Sequence, residues 1–465
     1  METEIANGFA TINPTTGKKI QQYDYMNDHE MTEAIQQCHD AFGEWKLTSL
    51  NKRADIIKRI GEELLNRKNE LADLMTREMG KIKKQGISEV ELCAAICDYT
   101  AEQGSKELQD EERTLPEGGK GIITYAPIGV IYGIQPWNFP IYQALRYSIS
   151  NLMAGNGVLL KHAESVTGSA LLLEKIYNAA GLPKNLFKVL RIDHDQSDKV
   201  ITHDLVRGVT MTGSASAGKV IAKKAAEVLK KTVLELGSND AYLILEDADV
   251  EKAAEISVKG RIFNNGETCV AAKRFIVVES QYETFKKAFV DQMKEIKFGD
   301  PMNTDNEMGP IAREDLRDTL HKQVVESVEN GANVLLGGTM PEKDGFFYPA
   351  TILENVKPGQ PAYDDELFGP VASLIKAKDD EDAMRIANDS RFGLGGGIFS
   401  KDEQKAMELA KKHFDTGMVF INSFGLAQPN MPFGGVKNSG YGREHGGFGI
   451  KEFVNVKAIM TLNME

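Results

Sequence analysis

The chain has 465 residues, 42% hydrophobic and 26% charged, with a formal net charge of −13. That length accommodates two or three domains of ordinary soluble composition, and the excess of acid argues against non-specific nucleic-acid binding. No stretch of about 18 apolar residues exists to span a membrane, and four Cys in so long a chain are no disulfide framework but fit a reducing, cytoplasmic setting.

The first residues, Met1-Glu2-Thr3-Glu4-Ile5, lack the basic-then-apolar order of a signal peptide. Phe9 to Gly17 reads as a short strand and turn. From Met31 to about Tyr99 apolar residues recur at three- and four-residue steps, as in Ile56-Ile57-Ile60-Leu64-Leu65, which predicts helix. Cys38, Cys93 and Cys97 fall within this pattern and are expected to pack rather than react. Residues 104 to 120 are polar and broken by Gly and Pro, and Gly121 to Pro127 has strand pattern, so a protruding hairpin is expected. Beyond it come apolar strands at Gly129–Ile134, Val158–Lys161, Val189–Arg191 and Val209–Met211, with helices running through Leu152 and over Ser169–Ala180. This alternation predicts a doubly wound parallel sheet. The cycle restarts with strand Tyr242–Leu245, helix Val250–Phe263, strand Phe275–Val278 and helix Tyr282–Ile296, giving a second α/β domain. Phe433 to Gly449 reads as Gly-rich loop, and Phe453 to Leu462 as a last strand.

Four stretches carry chemistry. Cys269 follows the polar, Gly-broken Phe263-Asn264-Asn265-Gly266-Glu267-Thr268 and precedes Val270-Ala271-Ala272. A thiol on a tight turn lies near backbone N–H donors and is open to a substrate, as a thiolate nucleophile requires; ordinary core packing is the alternative. Glu235 is one carboxylate in the apolar run Thr232 to Gly237, where burial would raise its pKa toward that of a general base; a strand residue reaching solvent is the alternative. Asn138 lies in the rigid Pro136-Trp137-Asn138-Phe139-Pro140, which suits an amide oxyanion donor as well as a plain turn. Thr212-Gly213-Ser214 closes a strand and opens a helix, where backbone N–H groups can cradle a phosphate; a tight strand–helix turn explains it equally. The eight His show no H-x-x-x-H or H-E-x-x-H spacing, so no metal site is expected.

Together these stretches, in this order, resemble the NAD(P)-dependent aldehyde dehydrogenase superfamily over essentially the whole chain. Leu160-Lys161-His162-Ala163-Glu164, Glu366-Leu367-Phe368-Gly369-Pro370 and Pro432-Phe433-Gly434-Gly435-Val436-Lys437 match as well. Within the superfamily, the compact length, Lys161-His162-Ala163 and Arg313 to Asp318 look most like the short bacterial succinate-semialdehyde dehydrogenases. The resemblance implies an aldehyde-dehydrogenase-like α/β fold. Its NAD-binding domain would cover 1–105 and 127–237, its catalytic domain 238–436, and its oligomerisation element and C-terminal segment 106–126 and 437–465. It implies Cys269 as nucleophile, the Asn138 side chain and Cys269 N–H as oxyanion donors, and Glu235 as the base that activates water on the thioester. It also implies NAD as cofactor, with NADP as the alternative. Glu366 would hold the nicotinamide ribose, with Phe368 against the nicotinamide end; Trp137, Gly213 and Ser214 would sit near the pyrophosphate; Lys161 and Glu164 would take the adenosine ribose; and Leu236 would also contact the cofactor. A homodimer or homotetramer is implied, acting on a small-molecule aldehyde.

Two departures stand out. Glu267 replaces the usual Gln before Thr268, and an extra acid there is expected to raise the Cys269 pKa. Phe263 replaces an Arg common in succinate-semialdehyde enzymes, with Arg261 the nearest substitute. Arg146 is the expected substrate-carboxylate ligand: eight residues after Asn138, it returns to within about 80° of the same helix face after a rise of roughly 12 Å. The alternatives are an aldehyde dehydrogenase for another short or amino aldehyde, a CoA-acylating relative, against which Glu235 speaks, and a catalytically silent structural member, against which Cys269 and Glu235 both speak.

Overall fold

The computed structural model describes residues 8–116 and 118–461, so the acidic start and Leu462 lie outside the described residues. The region of helical periodicity resolves into four helices, Asp28–Trp45, Leu50–Asn66, Lys68–Met79 and Lys83–Glu107. Polar residues set their breaks: Asn27 forms a capping box with Glu30, Ser49 caps the second helix, and Gly80 (φ 78°) ends the third in the left-handed region. Cys38, Cys93 and Cys97 are fully buried among these helices.

Behind the helices lies a six-stranded sheet. Its order is Gly440–Tyr441, Lys231–Glu235, Val206–Thr212, Val130–Gln135, Gly157–His162, Phe187–Val189. All neighbours are parallel except Gly440–Tyr441, which runs antiparallel to Lys231–Glu235. The central strands are apolar because both of their faces are buried. The helix Pro140–Ala154 is buried along its entire length, and its N-terminus is closed from outside. The Glu89 carboxylate accepts from the N–H groups of Ile141 (2.8 Å) and Tyr142 (3.0 Å), and Lys81 neutralises it.

A second sheet has seven strands, ordered Asn333–Leu336, Thr351–Glu354, Val371–Ala377, Arg274–Val278, Ala241–Ile244, Gly396–Phe399, Phe420–Ile421. Only the edge strand Asn333–Leu336 is antiparallel. A third sheet pairs Glu111–Thr114 with Lys120–Pro127, the expected hairpin, and adds Val454–Thr461 on its other side. The Gly-rich tail is not loop throughout: Val436–Lys437 pairs with Phe392–Gly393, and Gly449–Glu452 forms a helical turn. Such two-residue pairings leave no periodicity to read.

Candidate active site

The helix Val250–Ile262 stops at a turn that presents Cys269. Asn264 (φ 54°), Asn265 (φ 58°) and Gly266 (φ 76°) take left-handed backbone in succession. Asn tolerates that region better than most residues. At Gly266 a Cβ would stand 2.4 Å from the Gly369 carbonyl carbon, so only Gly fits. The Asn265 Nδ2 donates to Pro310 O (2.9 Å) and Gly80 O (3.1 Å), and its Oδ1 accepts from Gly309 N (2.7 Å). These bonds tie the turn to Gly309 and Pro310 and to the end of the helix Lys68–Met79.

Asn138 approaches from the turn that leads into the helix Pro140–Ala154. Its Nδ2 donates to Glu267 O (3.0 Å), and its Oδ1 accepts from Gln143 Nε2 (3.3 Å). The two contacts fix which end of the amide is nitrogen and leave one N–H free. Gln143 therefore sets the tilt of Asn138. Its amide is an ordinary polar side chain on a buried helix, and nothing in its sequence neighbourhood marks it.

Burial pushes the Cys269 thiol up to about 12; Arg146 and Lys273 pull it down, and Glu366 and Glu235 add to the rise. Glu267 does not act as expected. It is fully buried and turned away from the thiol, its Oε1 accepting from Ala312 N (3.0 Å). Burial holds its carboxyl well above the usual range, against the Ala312 N–H and Lys81, which lower it.

Glu235 ends its strand with a carboxylate 2% exposed and neither oxygen hydrogen-bonded among the described residues. Burial raises its pKa well above 4.5; Arg146 opposes the rise and Glu444 adds to it. Gly434 lies against it, where a Cβ would be 2.8 Å from Oε1.

Arg146 is 1% exposed and already partnered. Its Nη2 donates to Thr212 Oγ1 (2.8 Å), Glu444 forms an ion pair with it, and the rings of Tyr142 and Phe433 flank it at 5.3 and 4.9 Å. Nε meets Glu444 as an ion pair, and Nη1 has no partner among the described residues. No sequence pattern marks Glu444, which stands in the Gly-rich tail, 298 residues from its partner.

Two cavities bracket this machinery. One of 260 Å³ is lined by Trp137, Asn138, Gln143, Gly213, Ser214, Leu236, Cys269, Glu366 and Phe368 among others. The other, of 930 Å³, is lined by Lys161, Glu164, Arg313, Arg317 and Lys343 among others. The start of the helix Glu314–Glu329 borders both, Leu316 facing the smaller and Glu314, Asp315 and Arg317 the larger. Every cofactor residue expected from sequence thus lines one of the two, whereas Arg146 and Glu235 line neither. The donor set fits a dinucleotide. Ser214 caps the helix Ala215–Glu227 at the mouth of the smaller cavity, a helix start favours a phosphate, and cations gather in the larger. Glu164 accepts from Tyr25 OH at 2.5 Å, a bond the sequence reading did not anticipate.

Residues 2–459 match the model of the aldehyde dehydrogenase family. The chain belongs to the aldehyde dehydrogenase family. It is 42% identical to the succinate semialdehyde dehydrogenase (NAD(P)+) Sad of Escherichia coli (strain K12), over 97% of each chain. Its fold superposes with a TM-score of 0.95 on the succinic semialdehyde dehydrogenase from Streptococcus pyogenes in complex with NADP+, at 35% identity, covering 98% of this chain and 100% of that one. A TM-score of 0.95 also relates it to the betaine aldehyde dehydrogenase of Staphylococcus aureus in complex with NAD+, at 29% identity, covering 100% and 94%. The expected aldehyde-dehydrogenase fold stands, and the activity of the family is NAD(P)-dependent aldehyde oxidation. No described helix is long and apolar enough to cross a membrane.

Proposed function

We propose that this aldehyde dehydrogenase oxidises succinate semialdehyde to succinate. The observation that carries the chemistry is that Cys269 and Asn138 face one cavity, with Asn138 tied to the carbonyl two residues before the thiol. The Cys269 thiolate attacks the aldehyde carbon, forming a C–S bond and an oxyanion. The free Asn138 Nδ2–H and the Cys269 N–H hold that oxygen. NAD(P), when bound, would supply the acceptor for the hydride that leaves the thiohemiacetal carbon. Glu235 then takes a proton from water as the water attacks the thioester, and the acid leaves Cys269.

The substrate reading is supported by the names of the Escherichia coli and Streptococcus pyogenes relatives and by a buried guanidinium near the thiol. In this reading the substrate carboxylate competes with Glu444 for Arg146, using Nη1 first. Arg binds a carboxylate through two parallel N–H bonds. Losing one partner of a buried charge pair costs about 2–5 kcal/mol, so Arg146→Ala lowers kcat/KM for succinate semialdehyde at least about 30-fold, at 1.4 kcal/mol per tenfold. Butyraldehyde, which has no carboxylate, reports on structural damage. Equal losses for both aldehydes would make Arg146 structural, and a wild type that prefers butyraldehyde would end the succinate-semialdehyde reading.

NAD is preferred in this proposal, with NADP close behind. Glu164 suits ribose hydroxyls and repels a 2′-phosphate, while Lys161 and Arg313 beside it offset that repulsion. Glu164→Ser narrows the difference in kcat/KM between the two cofactors; a wild type faster with NADP would refute the order.

A further inference from the structure

Lys273 immediately precedes the strand Arg274–Val278, four residues after the thiol, and is 2% exposed. Its backbone is locked into the seven-stranded sheet: its N–H donates to Asp240 O (3.2 Å) and its carbonyl accepts from Ser373 N (3.0 Å). The ammonium at the end of this fixed stem meets four oxygens. They are Cys269 O (2.6 Å), Ser238 Oγ (2.9 Å), Glu366 Oε1 (3.1 Å) and Thr268 O (3.2 Å). A buried ammonium needs a counter-charge, and Glu366 is the one carboxylate that contacts it among the described residues.

Thr268 O and Cys269 N–H belong to the same planar trans peptide, so they point in opposite directions. Whatever pulls Thr268 O one way aims the Cys269 N–H the other way. That N–H has no hydrogen-bond partner among the described residues. A cation on the carbonyl side also polarises the peptide and strengthens its N–H as a donor. The other end of the same ammonium holds Glu366, which lines the cavity together with Cys269.

We propose that Lys273 is a positioning residue that aims the Cys269 N–H at the substrate oxyanion and ties that aim to the position of Glu366. The inference rests on the reading of Cys269 as nucleophile and of its N–H as oxyanion donor. No bond forms or breaks at Lys273. A ribose hydroxyl on Glu366 would divide the carboxylate's charge between two partners and let the ammonium shift toward the Thr268 and Cys269 carbonyls. Cofactor occupancy is thereby transmitted to the nucleophile's peptide through a single side chain.

Lys273→Met keeps the length of the stem and removes the charge. Removing an oxyanion donor outright lowers kcat by about 10²–10³, so misaiming one lowers turnover at least about tenfold. Alkylation of Cys269 by iodoacetamide forms no oxyanion, so it should slow only through the thiolate that the missing charge no longer favours, and by less than turnover does. A purely structural loosening would slow both alike, and equal losses would overturn the proposal. Lys273→Gln, which keeps an N–H donor, should fall between wild type and Met. The link to Glu366 is read without any Lys273 variant. Saturating NAD should change the alkylation rate of wild-type Cys269 at least about fivefold and that of Glu366→Gln less than twofold. The same change in both proteins would refute the coupling. A Cys269→Ala variant that kept its turnover would instead refute the underlying nucleophile assignment.

Discussion

At the scale of single residues, electrostatics decide what each acid near the thiol can do. Burial raises the Glu267 carboxyl and its Oε1 accepts one backbone bond from Ala312, so Glu267→Gln should leave kcat within about threefold and the alkylation pH profile of Cys269 unmoved. A tenfold fall would show that its proton or charge is used. The thiol itself, pushed up to about 12 by burial, is the reactive species only when deprotonated. The alkylation rate of the cofactor-free enzyme should therefore climb with pH through 9 and show no plateau below about 10, where an unperturbed thiol near 8.5 would already have levelled off. A plateau near pH 7 would mean that Arg146 and Lys273 outweigh burial. Cys269, Glu235 and Asn138 were legible in sequence because each is the wrong residue type for its surroundings: a thiol on a turn, a carboxylate in an apolar run, an amide between prolines. Gln143, Lys273 and Glu444 were not. Their roles arise from partners that only folding brings near, as with Arg146 and Glu444.

At the scale of elements, the helix Pro140–Ala154 shows how a site is supported from outside. Pro140 presets its first turn, but no side chain of the preceding residue caps it. Glu89, on another helix, does so, and Lys81 balances that carboxylate inside the protein. Glu89→Ala would leave a buried ammonium uncompensated and two N–H groups bare. A loss of about 3–5 kcal/mol follows, read as a lower urea midpoint; a loss under about 1 kcal/mol would mean that water replaces the cap. Sequence periodicity found the long helices and the central strands, whose length and burial leave strong patterns. It placed the strand at Phe187–Val189 two residues late and gave little between 297 and 432. There, edge strands such as Asn333–Leu336 are half exposed and short, so neither alternation nor a continuous apolar run develops.

At the scale of the whole molecule, the strand Val454–Thr461 lies at the open edge of the three-stranded sheet, with Val456, Ile459 and Met460 exposed. An apolar edge of this kind invites a further strand, which supports the expectation of a homo-oligomer. Ile459→Asp should shift the sedimentation profile to a smaller species while the folded chain persists; an unchanged profile would place any subunit contact elsewhere.

The central claim, that Cys269 carries the acyl group and Glu235 releases it, is tested most directly by Glu235→Gln. Mixed with succinate semialdehyde and NAD, this variant should give a burst of NADH near one per active site and then turn over about 10²–10⁴-fold more slowly than wild type. Mass spectrometry of the acid-quenched protein should find the succinyl group on the peptide that contains Cys269. Wild-type turnover without a burst, or an acyl group on any other residue, would contradict the account.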